Sequence, residues 1–165
     1  MNKQKGQNTR PMNPIKFRKT IAWVLIQAVL LCFFIFCPFR IPLNIPCFIR
    51  YLGFFFLFGG ILIVIISEIS LKRNLTTTPE PVSGGYQVTS GLYHFVRHPM
   101  YLGIILVCLG FGILMSDLIK ILLTSGVFIF LDIKSRAEEK WLEKTFSGYV
   151  SYKKQVTKKF IPWLY

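Results

Sequence analysis

The chain has 165 residues, 53% of them hydrophobic, and a mean hydropathy of +0.50, yet Lys and Arg outnumber Asp and Glu by 20 to 7 for a formal charge of +13. With 16% charged residues there is too little polar material to skin an ordinary soluble domain of this size. The charged and apolar residues are segregated rather than interleaved, which excludes the usual composition of a nucleic-acid binder.

Residues 1–20 form a basic tail with Lys3, Lys5, Arg10, Lys16, Arg18 and Lys19. The stretch from Ile21 to Phe39 carries no charge, and Gln27 is its one strongly polar side chain. Its length suits a helix crossing a hydrocarbon core of ~30 Å. A secretory signal peptide also joins a basic tail to an apolar run, but this run exceeds an h-region of about 7–15 residues. Phe39-Arg40-Ile41-Pro42 is moreover no small-residue cleavage site. A second run extends from Tyr51 to Leu71, with Ser67 and Glu68 near the water boundary. Gly53, Gly60 and Ser67 recur in it at intervals of seven, a small-residue stripe that lets helix backbones approach closely.

Residues 72–98 read as a water-side loop. Its TTTPEPVSGG segment, Thr76 to Gly85, has two prolines and two adjacent glycines and cannot be one regular element. Pro99 disfavours helix at His98 and suits the first turn of the helix that follows, so Arg97 and His98 fall at the mouth of a third run, Pro99 to Ser116. A helix start favours an anion, and Arg97 adds a fork suited to carboxylate or phosphate. The plainer alternative makes Arg97 and His98 interfacial anchors. His94 and His98 have the i, i+4 spacing of zinc ligands, but Pro99 interrupts the helix and no third ligand follows, so no metal site is expected.

Ser116-Asp117 suits a tight hairpin into a fourth run that ends near Lys134. Glu68 is the one ionisable residue expected within the runs, which argues against a small transporter. Beyond Lys134, the helical spacing of Ala137, Trp141, Leu142 and Thr145 predicts an amphipathic helix, lying at the interface or continuing the fourth run. Glu139 and Glu143 with Lys140 and Lys144 suit a solvated, charge-mixed face. Glu138, on the side toward the membrane, needs a cationic partner or a ligand. Cys32, Cys37, Cys47 and Cys108 have no metal-ligand spacing and imply no disulfide framework.

The expected fold is an all-α membrane protein of four transmembrane helices with a cytoplasmic cofactor loop and a C-terminal amphipathic helix. Its segments are the basic tail 1–20, helices one and two over 21–71, the loop 72–98, the helical hairpin 99–134, and the C-terminal helix and tail 135–165. Seventeen of the twenty basic residues lie on the two tails and the long loop, against Arg40, Arg50 and Lys120 on the other side. The positive-inside rule then puts both termini in the cytoplasm, at the plasma or inner membrane of a bacterium or the endoplasmic reticulum of a eukaryote. The same charge attracts anionic lipid headgroups.

Three groups of residues carry a family resemblance: Val88-Thr89-Ser90-Gly91-Leu92-Tyr93; Arg97-His98-Pro99-Met100-Tyr101-Leu102-Gly103; and Glu138-Glu139 with Leu142, Phe146 and Pro162. Together they resemble integral-membrane methyltransferases of the isoprenylcysteine carboxyl methyltransferase type, relatives of the phospholipid methyltransferases. The resemblance runs from Tyr86 to Pro162; the N-terminal half shares only its helical, membrane-spanning character. It implies S-adenosyl-L-methionine as methyl donor, with Tyr86, Gln87 and Val88 lining it through their backbone. Tyr93 and the His98-Pro99-Met100-Tyr101 run would form most of the pocket, and Glu138 would hold a polar group. Relatives place a substrate-contacting arginine where Lys134 stands, and lysine keeps the charge but loses the fork. Arg136 is the other candidate for acceptor charge. Ser147-Gly148-Tyr149 is one residue shorter than the family's usual Phe-Gly-x-x-Tyr pattern.

The residue chemistry suits the same donor. Its carboxylate fits the Pro99 helix start with Arg97 and His98, its amine fits Glu138, and its sulfonium fits tyrosine faces. No Gly-x-Gly-x-x-Gly points to a Rossmann domain. The expectation is a membrane-embedded methyltransferase whose lipophilic acceptor, isoprenylcysteine carboxylate-like or phospholipid-like, arrives laterally from the bilayer. Membrane lipids are its expected surroundings, with neither nucleic acid nor metal as partner. The alternative is a non-catalytic membrane protein that keeps the scaffold for binding or assembly.

Overall fold

A computed structural model describes residues 14–71, 91–146 and 148–161. Within them the regular elements are all helical: α1 (Pro14–Phe36), α2 (Cys47–Ser70), a 3-10 turn (Gly91–His94), α3 (Pro99–Leu114), α4 (Leu118–Thr145) and α5 (Tyr149–Gln155). One of these, α2, is long and apolar enough to cross a membrane, while Ile21–Phe36 and Pro99–Leu114 are shorter apolar helices. Tyr86, Gln87, Val88 and Pro162 lie outside the described residues.

The small-residue stripe decides the closest helix contact. Gly53, Gly60 and Ser67 are buried along one face of α2, and α3 meets them with glycines of its own. A Cβ on Gly110 would stand 2.5 Å from Leu57 N, and one on Gly60 would stand 2.6 Å from Gly103 O. Backbone therefore packs on backbone, a geometry only glycine permits. Gly110→Ala is expected to push α2 and α3 apart and to destabilise by about 1–3 kcal/mol. Thermal unfolding in detergent should show a lowered midpoint, with Gly59→Ala, which meets nothing within 4 Å, as the neutral control.

At the hairpin, Ser116 takes the left-handed φ of 50° and Asp117 caps α4 by accepting from Ile119 N at 3.0 Å. The same carboxylate accepts from Ile41 N at 3.3 Å, so the α1–α2 connection is pinned along the hairpin. Leu43 N donating to Ser116 O at 2.7 Å and Leu118 N donating to Ile41 O at 2.9 Å complete that seam.

The expectation that Glu68 alone is ionisable within the apolar runs is corrected here, because Lys120 and Asp132 both lie inside α4 and both are buried. Lys120 Nζ donates to Phe34 O at 3.0 Å and Ile35 O at 3.2 Å, the last carbonyls of α1, where the helix dipole favours a cation. Asp132 pairs with Lys159 and Arg136. Each charge is matched inside the fold, as a buried charge must be.

The 28 residues of α4 make one rod of about 42 Å, so the segment with Ala137, Trp141, Leu142 and Thr145 continues the fourth run rather than forming a separate helix. Helix α5 folds back on its end, where Tyr149, Tyr152 and Val156 pack with Leu142 and Phe146. The shortened connection still delivers Tyr149 into the core, 3% exposed. Outward, Leu25, Val29, Phe33 and Phe36 of α1 and Phe55, Phe58 and Leu62 of α2 stay exposed, an apolar surface far larger than water-soluble monomers show.

Candidate functional site

Successive helix residues are rotated by about 100°, so Glu138 and Glu139 leave α4 in different directions. Glu139 points into the protein, its side chain only 6% exposed, which corrects the solvated-face expectation for this residue. Its Oε1 accepts from Arg97 Nε at 2.8 Å and lies 3.3 Å from His98 Nε2, while Lys153 Nζ stands 2.9 Å from Oε2. A carboxylate offers only lone pairs, so a hydrogen bond at Nε2 has His98 as its donor. Burial pushes the Glu139 carboxyl up, but hydrogen bonds from His98, Lys153 and Arg97 outweigh it and hold the group well below the usual carboxylate range. Bonds to Glu143 and Glu139 in turn raise the Lys153 ammonium.

Arg97, offered by the sequence to a ligand anion, is engaged within the protein. Besides Glu139, its Nη1 donates to Val156 O at 2.9 Å and Thr157 O at 2.7 Å. The backbone repeats the tie, with Arg97 N donating to Lys158 O at 3.0 Å and His98 N to Lys159 O at 2.9 Å. The returning tail thus braces the start of α3 with side chain and main chain together. Tyr152 adds a hydrogen bond from its hydroxyl to Tyr93 O at 2.6 Å, and burial pushes that phenol up to about 12, so it remains a donor at neutral pH. Fully buried Phe160 sets its ring edge-on to His98 and Tyr101, with centroids 6.0 and 6.2 Å away.

Glu138 faces the other way, into a cluster built from the start of α3 and the middle of α4. Tyr101 donates its hydroxyl hydrogen to Glu138 Oε1. His98 Nδ1 is 3.9 Å from Oε2, and Lys134 Nζ is 3.9 Å from Oε1. The His98 and Tyr101 rings lie parallel with centroids 5.3 Å apart, and Lys134 Nζ sits 5.3 Å from the Tyr101 ring centre. Lys134 also donates to Gln27 Oε1 on α1 at 2.6 Å. Pro99 is buried at the first helical position of α3, and Met100 is half-buried beside it. No side chain caps this helix start.

His98, Tyr101, Lys134 and Glu138 are therefore brought together, whereas Arg136 lies on the rim, 65% exposed and paired with Asp132 at 2.8 Å. Tyr93 is buried with its carbonyl engaged by Tyr152. Beside Glu139 opens a basic cleft of about 440 Å³ walled by Arg97, Arg136, Lys153, Lys158 and Lys159. Among the described residues no group of His, Cys, Asp and Glu could hold a metal ion.

Glu139, Lys153, Phe160 and Gln27 escaped the reading of candidate site residues. For Glu139 the signal was present in the acidic doublet, and for Gln27 in being the lone polar residue of an apolar run. Lys153 and Phe160 have no local pattern that marks them. A family model described as phospholipid methyltransferase matches residues 48–148, taking in Tyr93 to Tyr101, Lys134 and both glutamates but not α1 or the tail beyond Gly148. No curated protein matches the chain.

Proposed function

The chain belongs to the phospholipid methyltransferase family of integral-membrane methyltransferases, and from that premise we propose that it transfers a methyl group from S-adenosylmethionine to a lipophilic acceptor taken from the bilayer. Helices α1 to α4 span the membrane, with both termini and the site on the cytoplasmic side. The apolar outer faces of α1 and α2 support the spans, and the gathering of seventeen basic residues in the long loop, in the two end segments and at the adjoining ends of α1 and α4 supports the orientation.

The observation that carries the reading is the convergence of Glu138, Tyr101, His98 and Lys134 at the start of α3. That donor set fits the cofactor: the Glu138 carboxylate would hold its amine, and the uncapped start of α3 would suit its carboxylate. The aromatic faces of Tyr101 and His98 would lie against its cationic part. Bound there, the cofactor supplies an electrophilic methyl group for in-line displacement, which needs alignment rather than a protein nucleophile. The chain's own contribution is to hold that alignment. Tyr101 orients Glu138, the Arg97–Glu139 pair fixes His98 against the tail, and Phe160 closes the aromatic wall against water.

Calorimetric titration of detergent-purified protein with S-adenosylhomocysteine is expected to show saturable binding. No heat at millimolar ligand would overturn the enzyme reading in favour of a non-catalytic scaffold. Membranes incubated with methyl-labelled donor should carry label in lipid or in prenylated protein; label confined to water-soluble products would overturn a lipophilic acceptor.

A further inference from the structure

The basic cleft beside Glu139 takes no part in the chemistry proposed above, and its charge is not balanced. Among the described residues three carboxylates pair with its five basic side chains: Glu139 with Arg97 and Lys153, Glu143 with Lys153, and Asp132 with Arg136 and Lys159. Two positive charges are left over, and among the described residues Lys158 pairs with no carboxylate. The backbone carrying Lys158 and Lys159 is itself pinned, since Lys158 O accepts from Arg97 N at 3.0 Å and Lys159 O accepts from His98 N at 2.9 Å. A concave surface with a fixed surplus of positive charge attracts an anion, and guanidinium and ammonium groups together suit phosphate oxygens.

The surface below the cleft indicates where that phosphate comes from. Leu122, Ile129, Ile133 and Arg136 share one exposed face of α4, and Gly126, between the first two, leaves open space in the stripe. Arg136 both ends this apolar stripe and walls the cleft. From Leu118 to Arg136 the helix rises by about 27 Å, close to the ~30 Å of a hydrocarbon core, so the cleft stands at headgroup level above a path for an acyl chain. A soluble phosphate would use the cleft and leave the stripe bare.

We propose that cleft and stripe form a binding site for one anionic phospholipid of the cytoplasmic leaflet, its phosphate among Arg136, Lys158 and Lys159 and an acyl chain along Leu122, Ile129 and Ile133. This lipid is not the methyl acceptor. At about 100° per residue, Glu138 leaves α4 about 160° away from Arg136, so the site lies across the helix from the Glu138 cluster. The bound phosphate joins α4 to the tail segment that braces the start of α3. The proposal rests on the spanning of α4 and is independent of methyl transfer.

The test follows thermal unfolding of the full chain in detergent during titration with dioctanoyl phosphatidylglycerol, with dioctanoyl phosphatidylcholine and with glycerol phosphate. The unfolding midpoint should rise saturably with phosphatidylglycerol, at concentrations roughly tenfold below those at which the other two act. Lys158→Gln should raise the half-saturating phosphatidylglycerol concentration roughly tenfold, the loss of one hydrogen bond to a charged group. Lys154→Gln removes the same charge from an exposed position outside the cleft and should leave the titration unchanged. An equal shift in both variants would reduce the effect to diffuse attraction by a chain of charge +13 and overturn the site. Equal potency of the two lipids also overturns it, and a response to glycerol phosphate equal to that of phosphatidylglycerol makes the ligand a soluble phosphate and overturns the lipid. The span is tested separately, with Ile129 replaced by photoreactive benzoylphenylalanine in nanodiscs. Cross-linking to phospholipid is expected, and its absence overturns the spanning of α4 and with it the lipid source, whatever the titrations show.

Discussion

Glu139→Ala is expected to lower the unfolding free energy by about 3–5 kcal/mol, the cost of removing the anion from a buried ion cluster. Arg97, His98 and Lys153 all converge on this one carboxylate, and the substitution leaves a guanidinium inside the protein with only tail carbonyls to face. The loss should appear in thermal or denaturant unfolding in detergent. Faster proteolysis at Lys153 and Lys154 should accompany it, because the same carboxylate ties down the tail. An unfolding midpoint equal to wild type would show that the cluster contributes nothing net.

The acid limb follows from the same contacts. Glu139 titrates lower in the folded chain than in the unfolded one, so its contribution is fully present above the unfolded carboxyl value near ~4.3. It is lost progressively as pH falls from there toward the depressed folded value. Wild type should therefore lose stability on acidification below about pH 4.3, and Glu139→Gln, which has no such proton to bind, should show a flatter profile over that window. Parallel profiles would refute the assignment.

Glu138→Gln should act on the ligand instead. Losing one charge-assisted hydrogen bond to the donor's amine is expected to weaken S-adenosylhomocysteine binding roughly tenfold to hundredfold, about 1.5–3 kcal/mol. The effect on unfolding should be smaller than that of Glu139→Ala, because among the described residues Glu138 has one close hydrogen-bond donor, Tyr101, and its cations stand 3.9 Å away. Tyr101→Phe removes the hydroxyl that orients Glu138 and should reduce affinity in the same direction by a smaller factor. Unchanged affinity in Glu138→Gln would remove this carboxylate from the cofactor site, whatever the protein's stability.

The two neighbouring glutamates show how unevenly the site could be read beforehand. Glu138 stood out because an acid on the membrane side of a helix needs a partner, and the resemblance placed it with His98 and Tyr101. Glu139 looked like any acid in a Glu-Lys-rich stretch, since helical spacing alone does not say which face a distant segment will cover. Its partners come from residues 42 positions upstream and from a tail that returns after α4 ends. Arg97 was recognised as special, but its assignment to a ligand anion could not anticipate that the tail carbonyls of Val156 and Thr157 claim its other nitrogen.

The helical character, the hairpin at Ser116-Asp117, the start of α3 at Pro99 and the small-residue stripe of α2 were determined by the sequence alone. Each depends on interactions within a few residues or on a repeated spacing along one helix. The tertiary structure decided what no local pattern encodes: that α4 runs unbroken past Lys134, that Lys120 and Asp132 are matched inside the fold, and that Glu139 is a buried hub. It likewise decided that Gln27 meets Lys134 across a separation of 107 residues. The physical reason is that a buried charge or amide takes its meaning from its partner, and the partner is supplied by chain closure rather than by sequence neighbours.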